Sequence, residues 1–454
     1  MLVLPRASRR VHHGGLPRAG RKSSLLAVRP RNIYTIAIES SCDDTSVAVL
    51  QRDNGTRLLF HEKVTANNDA YNGIHPLVAL HSHQTSLAPL IQRAIQHFPV
   101  ESETAKRKPA FVTVTRGPGM RSNLSVGLDT AKGLAVAWQV PLLGVHHMQA
   151  HALTPRLISA LHHENNAALK PEFPFLTILA SGGHTMLIDS AGLTEHKILA
   201  QTEDIALGDC LDKAARAILP KSLVLPPYGR ALERFAFPNG AADYNYTPPV
   251  NREGELQRRR TAWGWGLGPP MAESKGGRSS RRMAFSFSGL LSSIERFIKF
   301  EVEPSGAITK NLRAEGQLGE DERRVMAKEV MRVAFEHLAS RVALHLSSLT
   351  RAQAADVKTV VISGGVAANA FLRHVMRRVL DVRGYEHIEL SFPPIELCTD
   401  NAAMIAWAGM EMWDAGWRSD LSIQPIKSWS MDPSATDGGI LGPDGWIRRA
   451  LDEK

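Results

Sequence analysis

The sequence predicts an α/β architecture, with helices covering sheets and one unit used twice. Three observations carry this reading. A strand–turn–strand figure with a small polar tip occurs near residue 40 and again near residue 183. Short apolar runs alternate with segments of helical periodicity, which is how sheets covered by helices are written. Three glycine-rich turns, Gly117-Pro-Gly119, Ser181-Gly-Gly183 and Ser363-Gly-Gly365, each follow one of those runs.

The elements follow in order. Tyr34-Thr-Ile-Ala-Ile38 reads as a strand, the polar stretch Glu39–Ser46 as a turn, and Val47-Ala-Val-Leu50 as the returning strand. Leu77–His97 repeats apolar residues at helical spacing. Phe111-Val-Thr-Val-Thr115 is a strand, Arg116-Gly-Pro-Gly-Met-Arg121 a turn, and a helix continues through Ala137. The second figure is Phe175–Ala180, the turn Ser181-Gly-Gly-His-Thr185, and Met186-Leu-Ile-Asp189. Val357–Ile362 is a strand that turns through Ser363–Asn369 into a helix ending near Arg378. Thr399–Met412 reads as a further helix with Asp400 in its first turn. Two hairpins so far apart suggest a duplicated unit.

A length of 454 residues admits two or three domains or one large two-lobed fold. No stretch reaches the ~18–20 apolar residues that span a bilayer. Three cysteines, Cys42, Cys210 and Cys398, are too few and too scattered for a disulfide framework, which fits a reducing compartment. The net charge of +9 is uneven. Residues 1–38 hold eight basic residues and no acid, so everything after them sums to +1. An Arg-rich, Ser-containing, acid-free leader is what a mitochondrial transit peptide looks like; the competing reading is a basic arm for nucleic acid. Residues 251–282 carry a net +5, and residues 303–321 are polar and Gly-rich, so both read as insertions or mobile loops. Arg258–Arg260 are candidates for nucleic-acid phosphate contacts, although a charge run is also a common solvated loop.

His147 and His151 stand one helical turn apart, a spacing that lets two imidazoles hold one ion. Zinc peptidases place Glu after the first such histidine as general base; here Met148 follows, and the nearby Gln149 cannot take a proton from water. A third ligand is needed. His146, His81 and His83 are poorly placed for it, and Asp400 is the better candidate, though it also reads as a plain helix-start acid. The glycine turns suit a phosphate cradled by backbone N–H groups, without matching the Walker or dinucleotide spacings. Asp209 and Asp212 lie at i and i+3, where Asp212 suits ribose hydroxyls or simply a helix start.

Six motifs in order, Glu39-Ser-Ser-Cys-Asp-Asp-Thr45, His147-Met-Gln-Ala-His151, Ser181-Gly-Gly-His-Thr185, Phe285-Ser-Phe-Ser-Gly289, Ser363-Gly-Gly-Val-Ala-Ala-Asn369 and Cys398-Thr-Asp-Asn401, resemble the TsaD-type tRNA threonylcarbamoyladenosine transferases. The likeness spans residues 33–412 and, with the basic leader, points to the mitochondrial, stand-alone branch. It implies a two-lobed actin/Hsp70-like (ASKHA) fold with a cleft between lobes. It implies a leader over 1–31, a first lobe over 32–172, a second over 173–395 and a returning segment, 396–454, on the first lobe. It implies transfer of threonylcarbamoyl from threonylcarbamoyl-AMP, made by a separate synthase, to the adenosine beside the anticodon of mitochondrial tRNA, in a homodimer of the matrix. His147, His151 and Asp400 match the ligands of one divalent ion, Fe or Zn. Leu179, Ala180, Ser181, Gly182, Gly183, Asp212, Gly229 and Asn369 match substrate-binding positions, Gly229 within a departed segment that reads Pro227-Tyr-Gly-Arg230. No residue matches a general acid or base. A metallopeptidase and an ATPase or sugar kinase of the same fold are the alternatives; the first lacks its glutamate, and the second leaves the histidine pair unexplained.

Overall fold

The hairpin at the start of the chain seeds the first sheet. The computed structural model describes residues 32–449 apart from 54, 69, 70, 72, 103, 104, 163–167, 273–278 and 304; the leader expected over 1–31 lies outside the described residues. Strand β1 (Ile33–Glu39) pairs antiparallel with β2 (Asp44–Arg52), and β2 with β3 (Thr56–Thr65). Helix α1 (Pro76–Gln96) and a small ribbon of β4 (Val100–Ser102) and β5 (Ala105–Lys106) follow. Strand β6 (Phe111–Gly117) then lies parallel to β1, and after α2 (Arg121–Trp138) β7 (Leu142–His146) lies parallel to β6. Helix α3 (His147–His162) leaves β7 directly.

The same plan returns. Strands β8 (Phe175–Ala180), β9 (Thr185–Ser190) and β10 (His196–Gln201) form an antiparallel meander. A helical block comes next: α4 (Leu207–Ile218), α5 (Tyr228–Ala236), α6 (Arg252–Leu256), α7 (Ser288–Lys299), a ribbon of β11 (Phe300–Val302) and β12 (Ile308–Leu312), α8 (Glu320–Ser348) and α9 (Arg351–Asp356). Strand β13 (Thr359–Ser363) joins parallel to β8, and beyond α10 (Ala370–Val382) β14 (Glu389–Ser391) joins parallel to β13. Helices α11 (Ile395–Cys398) and α12 (Ala402–Asp414) return to the first sheet, which β15 (Trp417–Ser419) and β16 (Trp446–Arg448) extend.

The two sheets run β16-β15-β7-β6-β1-β2-β3 and β10-β9-β8-β13-β14. Without the two late strands, each is a three-stranded meander whose first strand is followed on its other side by two successive parallel strands. That identity of order and direction is the duplicated unit the two hairpins suggested, and it gives the two-lobed actin/Hsp70-like architecture.

Large apolar cores flank the sheets, and the one around α12 also takes in Phe175 of β8 and Val361 of β13. Helix α12, buried almost throughout, packs on β1, β2 and α3, with Trp407 and Met404 fully buried. Helix α8 fills the centre of the second core between α4, α5, α7 and α10. A smaller cluster joins the two: Met148 and Ala152 of α3, Leu179 of β8 and Ile188 of β9 meet Trp429, Met431 and Ile440 of the carboxyl-terminal segment.

Three expectations change. Strand β2 starts at Asp44 rather than Val47, because the Asp44 carboxylate accepts from Lys63 Nζ (2.9 Å) and the Thr65 hydroxyl and so stays in register with β3. Asp400 is not in a helix. Asn401 caps α12 through its Oδ1, which accepts from Met404 N (3.0 Å), and leaves Asp400 in the break after α11. The described part of 251–282 is anchored. Arg252 donates to Glu255, Ser340 Oγ and Ser280 O, Arg383 donates to Glu255, and the fully buried Trp265 donates to Glu322 Oε1 (2.8 Å).

Candidate metal centre and nucleotide turns

The carboxyl ends of parallel strands are where open α/β sheets hold ligands. Here β1 ends at Glu39, β6 just beyond Thr115, and β7 runs without a break into His147 at the first position of α3. His146, the last residue of β7, supplies the cap: its Nδ1 accepts from Met148 N (3.1 Å), and its Nε2 donates to Trp429 O (3.0 Å). Burial pushes its pKa down to about 3, and because backbone groups engage both ring nitrogens it is no ligand. One turn later His151 shares the face of His147.

Asp400 comes to this pair from 249 residues away. The segment before α12 is fixed by Asn401 Nδ2 on Thr399 O (2.8 Å), by Ala402 N on Ser46 Oγ (3.1 Å), and by Lys63 Nζ on Thr399 Oγ1 (2.9 Å). His147 Nε2, His151 Nε2 and Asp400 Oδ1 then form a triangle with sides of 3.1, 3.2 and 3.4 Å. A tetrahedral ion with ligands at about 2.0–2.1 Å requires donor–donor edges of about 3.3–3.4 Å. Two imidazoles and a carboxylate are moreover the donor set of zinc and non-haem iron sites, so the residues fit a divalent ion. Burial alone would lower the pKa of His147, yet the carboxylates of Asp400 and Glu39 raise it to about 10. Burial likewise opposes ionisation of Asp400, and His147 and His151 outweigh it, holding it well below the usual range. The pocket is built for positive charge.

Gln149 takes no part. Its Nε2 donates to Leu193 O (2.7 Å) and it lies against Met412, fully buried away from the triad. At the position where a zinc peptidase has its base stands Met148, buried and apolar. His83 is buried between Thr45 Oγ1 (2.8 Å) and Cys42 O (3.0 Å), and His81 is exposed on α1.

The second sheet presents its glycine turns at the matching ends of β8 and β13. Gly364 has φ +93°, and a Cβ there would sit 2.4 Å from Ala180 O, so only glycine lets the two turns nest. The Ser181 turn is closed by Ser181 Oγ accepting from His184 N (3.0 Å) and Gly183 N (3.3 Å), and Gly208 N donates to Ser181 O (3.0 Å), bringing the start of α4 against it. Leu179 and Ala180 are buried in β8, whereas Gly182 and Gly183 are exposed. Asp212 accepts from the backbone N–H of Gly229, which unites those two positions; burial raises its pKa. Asp209 turns instead to Lys213 (2.7 Å). Asn369 caps α10 by accepting from Leu372 N (2.9 Å), and its Nδ2 rests 3.6 Å from Met331 Sδ.

Three residues escaped the sequence reading. Glu39 is fully buried with its Oε2 3.2 Å from His147 Nδ1. His184, on the Ser181 turn, lies in the field of the triad: desolvation and the neighbouring His147 and His151 lower its pKa. Asp204 organises the Phe285–Gly289 motif by accepting from Phe287 N (2.9 Å) and the hydroxyls of Ser286 and Ser288 (both 2.6 Å). The motif quotations contained the first two, but nothing local distinguishes their roles.

A family model described as TsaD, tRNA N6-adenosine threonylcarbamoyltransferase, matches residues 59–407. A relative in Schizosaccharomyces pombe, "tRNA N6-adenosine threonylcarbamoyltransferase, mitochondrial", is 36% identical over 92% of this chain and 90% of its own. Bacterial proteins carrying the same enzyme name in Rhizobium etli (32% identical, 88% of this chain and 94% of theirs) and Symbiobacterium thermophilum (33%, 86% and 95%) are similar throughout. With its duplicated sheets and its His-His-Asp group, this chain belongs to the TsaD family of tRNA N6-adenosine threonylcarbamoyltransferases.

Proposed function

We propose that the chain moves the threonylcarbamoyl group of threonylcarbamoyl-AMP to the N6 amine of the adenosine beside the anticodon, in mitochondrial tRNAs reading codons that begin with A. AMP is the leaving group. The observation that carries this reading is the convergence of His147, His151 and Asp400 at the strand ends of one sheet, with the Ser181 turn of the other sheet beside the same helix. Family membership supplies the reaction class.

The residues divide the work. The Ser181–Gly183 turn receives the phosphate of the adenylate at its exposed glycines, where the Gly182 N–H, not used within the turn, meets developing negative charge as AMP departs. Asp212, beside Gly229, accepts from the ribose hydroxyls, and Asn369 lies at the adenosine; Leu179 and Ala180 set the turn from within the core. His147, His151 and Asp400 hold one divalent ion, zinc or iron. When bound, such an ion supplies Lewis acidity and a template for substrate oxygens. The adenine amine is a weak nucleophile, so orientation at the shared edge supplies much of the rate. The target base is taken splayed from the anticodon loop. No general base is assigned.

The wider assignments rest on the family and the leader. A separate enzyme makes the adenylate, the chain works as a homodimer in the matrix, and residues 1–31 direct it there. Lobes over 32–172 and 173–395 with a return over 396–454 accord with the late strands β15 and β16 on the first sheet. No described helix is long and apolar enough to cross a membrane.

The test is nucleoside mass spectrometry of tRNA incubated with the chain, threonine, bicarbonate, ATP and the adenylate-forming enzyme. Threonylcarbamoyladenosine should form with the wild type and disappear in His147→Ala and Asp400→Ala. Full activity in both variants would remove the metal assignment, and cleavage of glycoprotein without tRNA modification would restore the peptidase.

A further inference from the structure

We propose that Glu39 is a positioning residue of the metal centre: its carboxylate sets His147 in the tautomer whose Nε2 lone pair faces His151 and Asp400. The inference rests on the metal reading above and adds a residue that reading did not use.

Glu39 is the last residue of β1 and has no exposed surface. A buried carboxylate is costly unless donors surround it. Here they do. Ser41 N donates to Oε1 (2.6 Å), and the Thr115 hydroxyl donates to Oε2. His147 Nδ1 lies 3.2 Å from the same Oε2. An ionised carboxylate only accepts, so Nδ1 must carry the hydrogen. Ser41 Oγ also approaches Nδ1, at 3.3 Å, but a hydroxyl donates or accepts and does not choose. The carboxylate chooses. With one hydrogen fixed on Nδ1, the proton that the ring gives up to an ion is the one on Nε2, the atom in the donor triangle.

His151 lacks this arrangement: its Nδ1 is buried without a hydrogen-bond partner among the described residues. The two histidines are thus unequal. His147 is pre-set by an outer carboxylate, whereas His151 is held through Asp400. Because Ser41 and Thr115 grip Glu39 from the β1–β2 turn and from β6, the orientation of the imidazole is tied to that turn. Outer partners of metal-binding histidines typically carry a 10- to 100-fold effect on affinity.

The experiment uses the full chain, stripped of metal and titrated with Zn²⁺ against a chromogenic chelator, alongside long-range ¹H–¹⁵N spectra of ¹⁵N-histidine-labelled protein. Glu39→Gln and Glu39→Ala should bind zinc about 10- to 100-fold more weakly. In the zinc-loaded chain the Nδ1–H of His147, identified by its absence in His147→Gln, should exchange faster with solvent in Glu39→Ala than in wild type, having lost its carboxylate acceptor. Thr115→Val, which frees Oε2 from its hydroxyl, should weaken zinc in the same direction by less. Zinc affinity within twofold of wild type and an unchanged Nδ1–H exchange rate, in Glu39 variants that melt like wild type, would overturn the proposal. If those variants fail to fold, unchanged affinity in Thr115→Val overturns it. Asp400→Ala separates the two readings: if it too binds zinc normally, the metal centre itself is wrong, whereas loss there with retention in the Glu39 variants removes only the positioning role.

Discussion

Gly182→Ala and Gly183→Ala test the nucleotide turn with little interference from the fold. A Cβ at either position meets no atom within 4 Å, and neither residue has the positive φ that would strain alanine. The folded chain therefore accepts the methyl group. Its loss of unfolded-state entropy favours the variants by about 0.4–1 kcal/mol. A phosphate that approaches the backbone closely does meet the methyl. Losing one charge-assisted hydrogen bond costs about 1.5–3 kcal/mol, which is roughly 10- to 150-fold in affinity. Gly208→Ala should behave oppositely. Its Cβ would lie 2.7 Å from Ser181 C and O, about 0.7 Å inside ordinary contact, and it must push the turn and α4 apart. Overpacking of that kind costs about 1–3 kcal/mol of stability. The assay is steady-state formation of threonylcarbamoyladenosine with saturating tRNA and varied threonylcarbamoyl-AMP, paired with thermal melts. Raised KM with an equal or higher Tm for Gly182→Ala and Gly183→Ala, against a lowered Tm for Gly208→Ala, is expected. Unchanged kcat and KM in both exposed-glycine variants would refute the phosphate role of the turn.

Three further outcomes follow from named contacts. Burial works against ionisation of Asp204, but the hydroxyls of Ser286 and Ser288 and the Phe287 N–H outweigh it and hold its pKa below the ordinary value of about 4. A depressed folded pKa contributes stability above the unfolded pKa and loses it as pH falls through the folded one. Urea midpoints of wild type and Asp204→Asn should therefore differ at pH 7 and converge as the pH falls through the depressed folded pKa; a gap that does not shrink on acidification would contradict this. Trp429→Ala removes the centre of the cluster that joins α3, β8 and the carboxyl-terminal segment, together with the bond to Gly439 O (2.9 Å). It should cost about 3–5 kcal/mol by chemical denaturation, and a loss below about 1 kcal/mol would mean the segment is not held there. Arg258 and Arg260 are exposed, and Arg259 is half-buried, donating to Thr247 O (3.2 Å) and lying 3.8 Å from Glu336. Replacing Arg258 and Arg260 with Ala should flatten the salt dependence of tRNA binding by about two units of slope, and an unaltered slope would exclude them as phosphate contacts.

Much of this protein is local and therefore legible. The helical spacing of His147 and His151, the polar tips of the hairpins and the glycine turns are relations between near neighbours, and the order of motifs identified the family. Other features resist sequence reading for physical reasons. Helix α8 has buried residues on every side, so the one-sided apolar stripe that marks a surface helix is missing. Asp400 reads as a helix-start acid until the Asn401 cap shows the helix beginning after it.

What the sequence by itself determined was the architecture and the family, because these are encoded in periodicity, spacing and motif order; it offered His147, His151 and Asp400 as candidate ligands. Which groups stand within 3–4 Å of one another was decided only by the tertiary structure. Asp400 crosses 249 residues to reach His151, and Glu39, an ordinary strand-end acid on the page, gains its meaning from a histidine on another element. Side-chain chemistry at a metal site depends on distances between strand ends, and those are set by the stacking of whole elements rather than by neighbours along the chain.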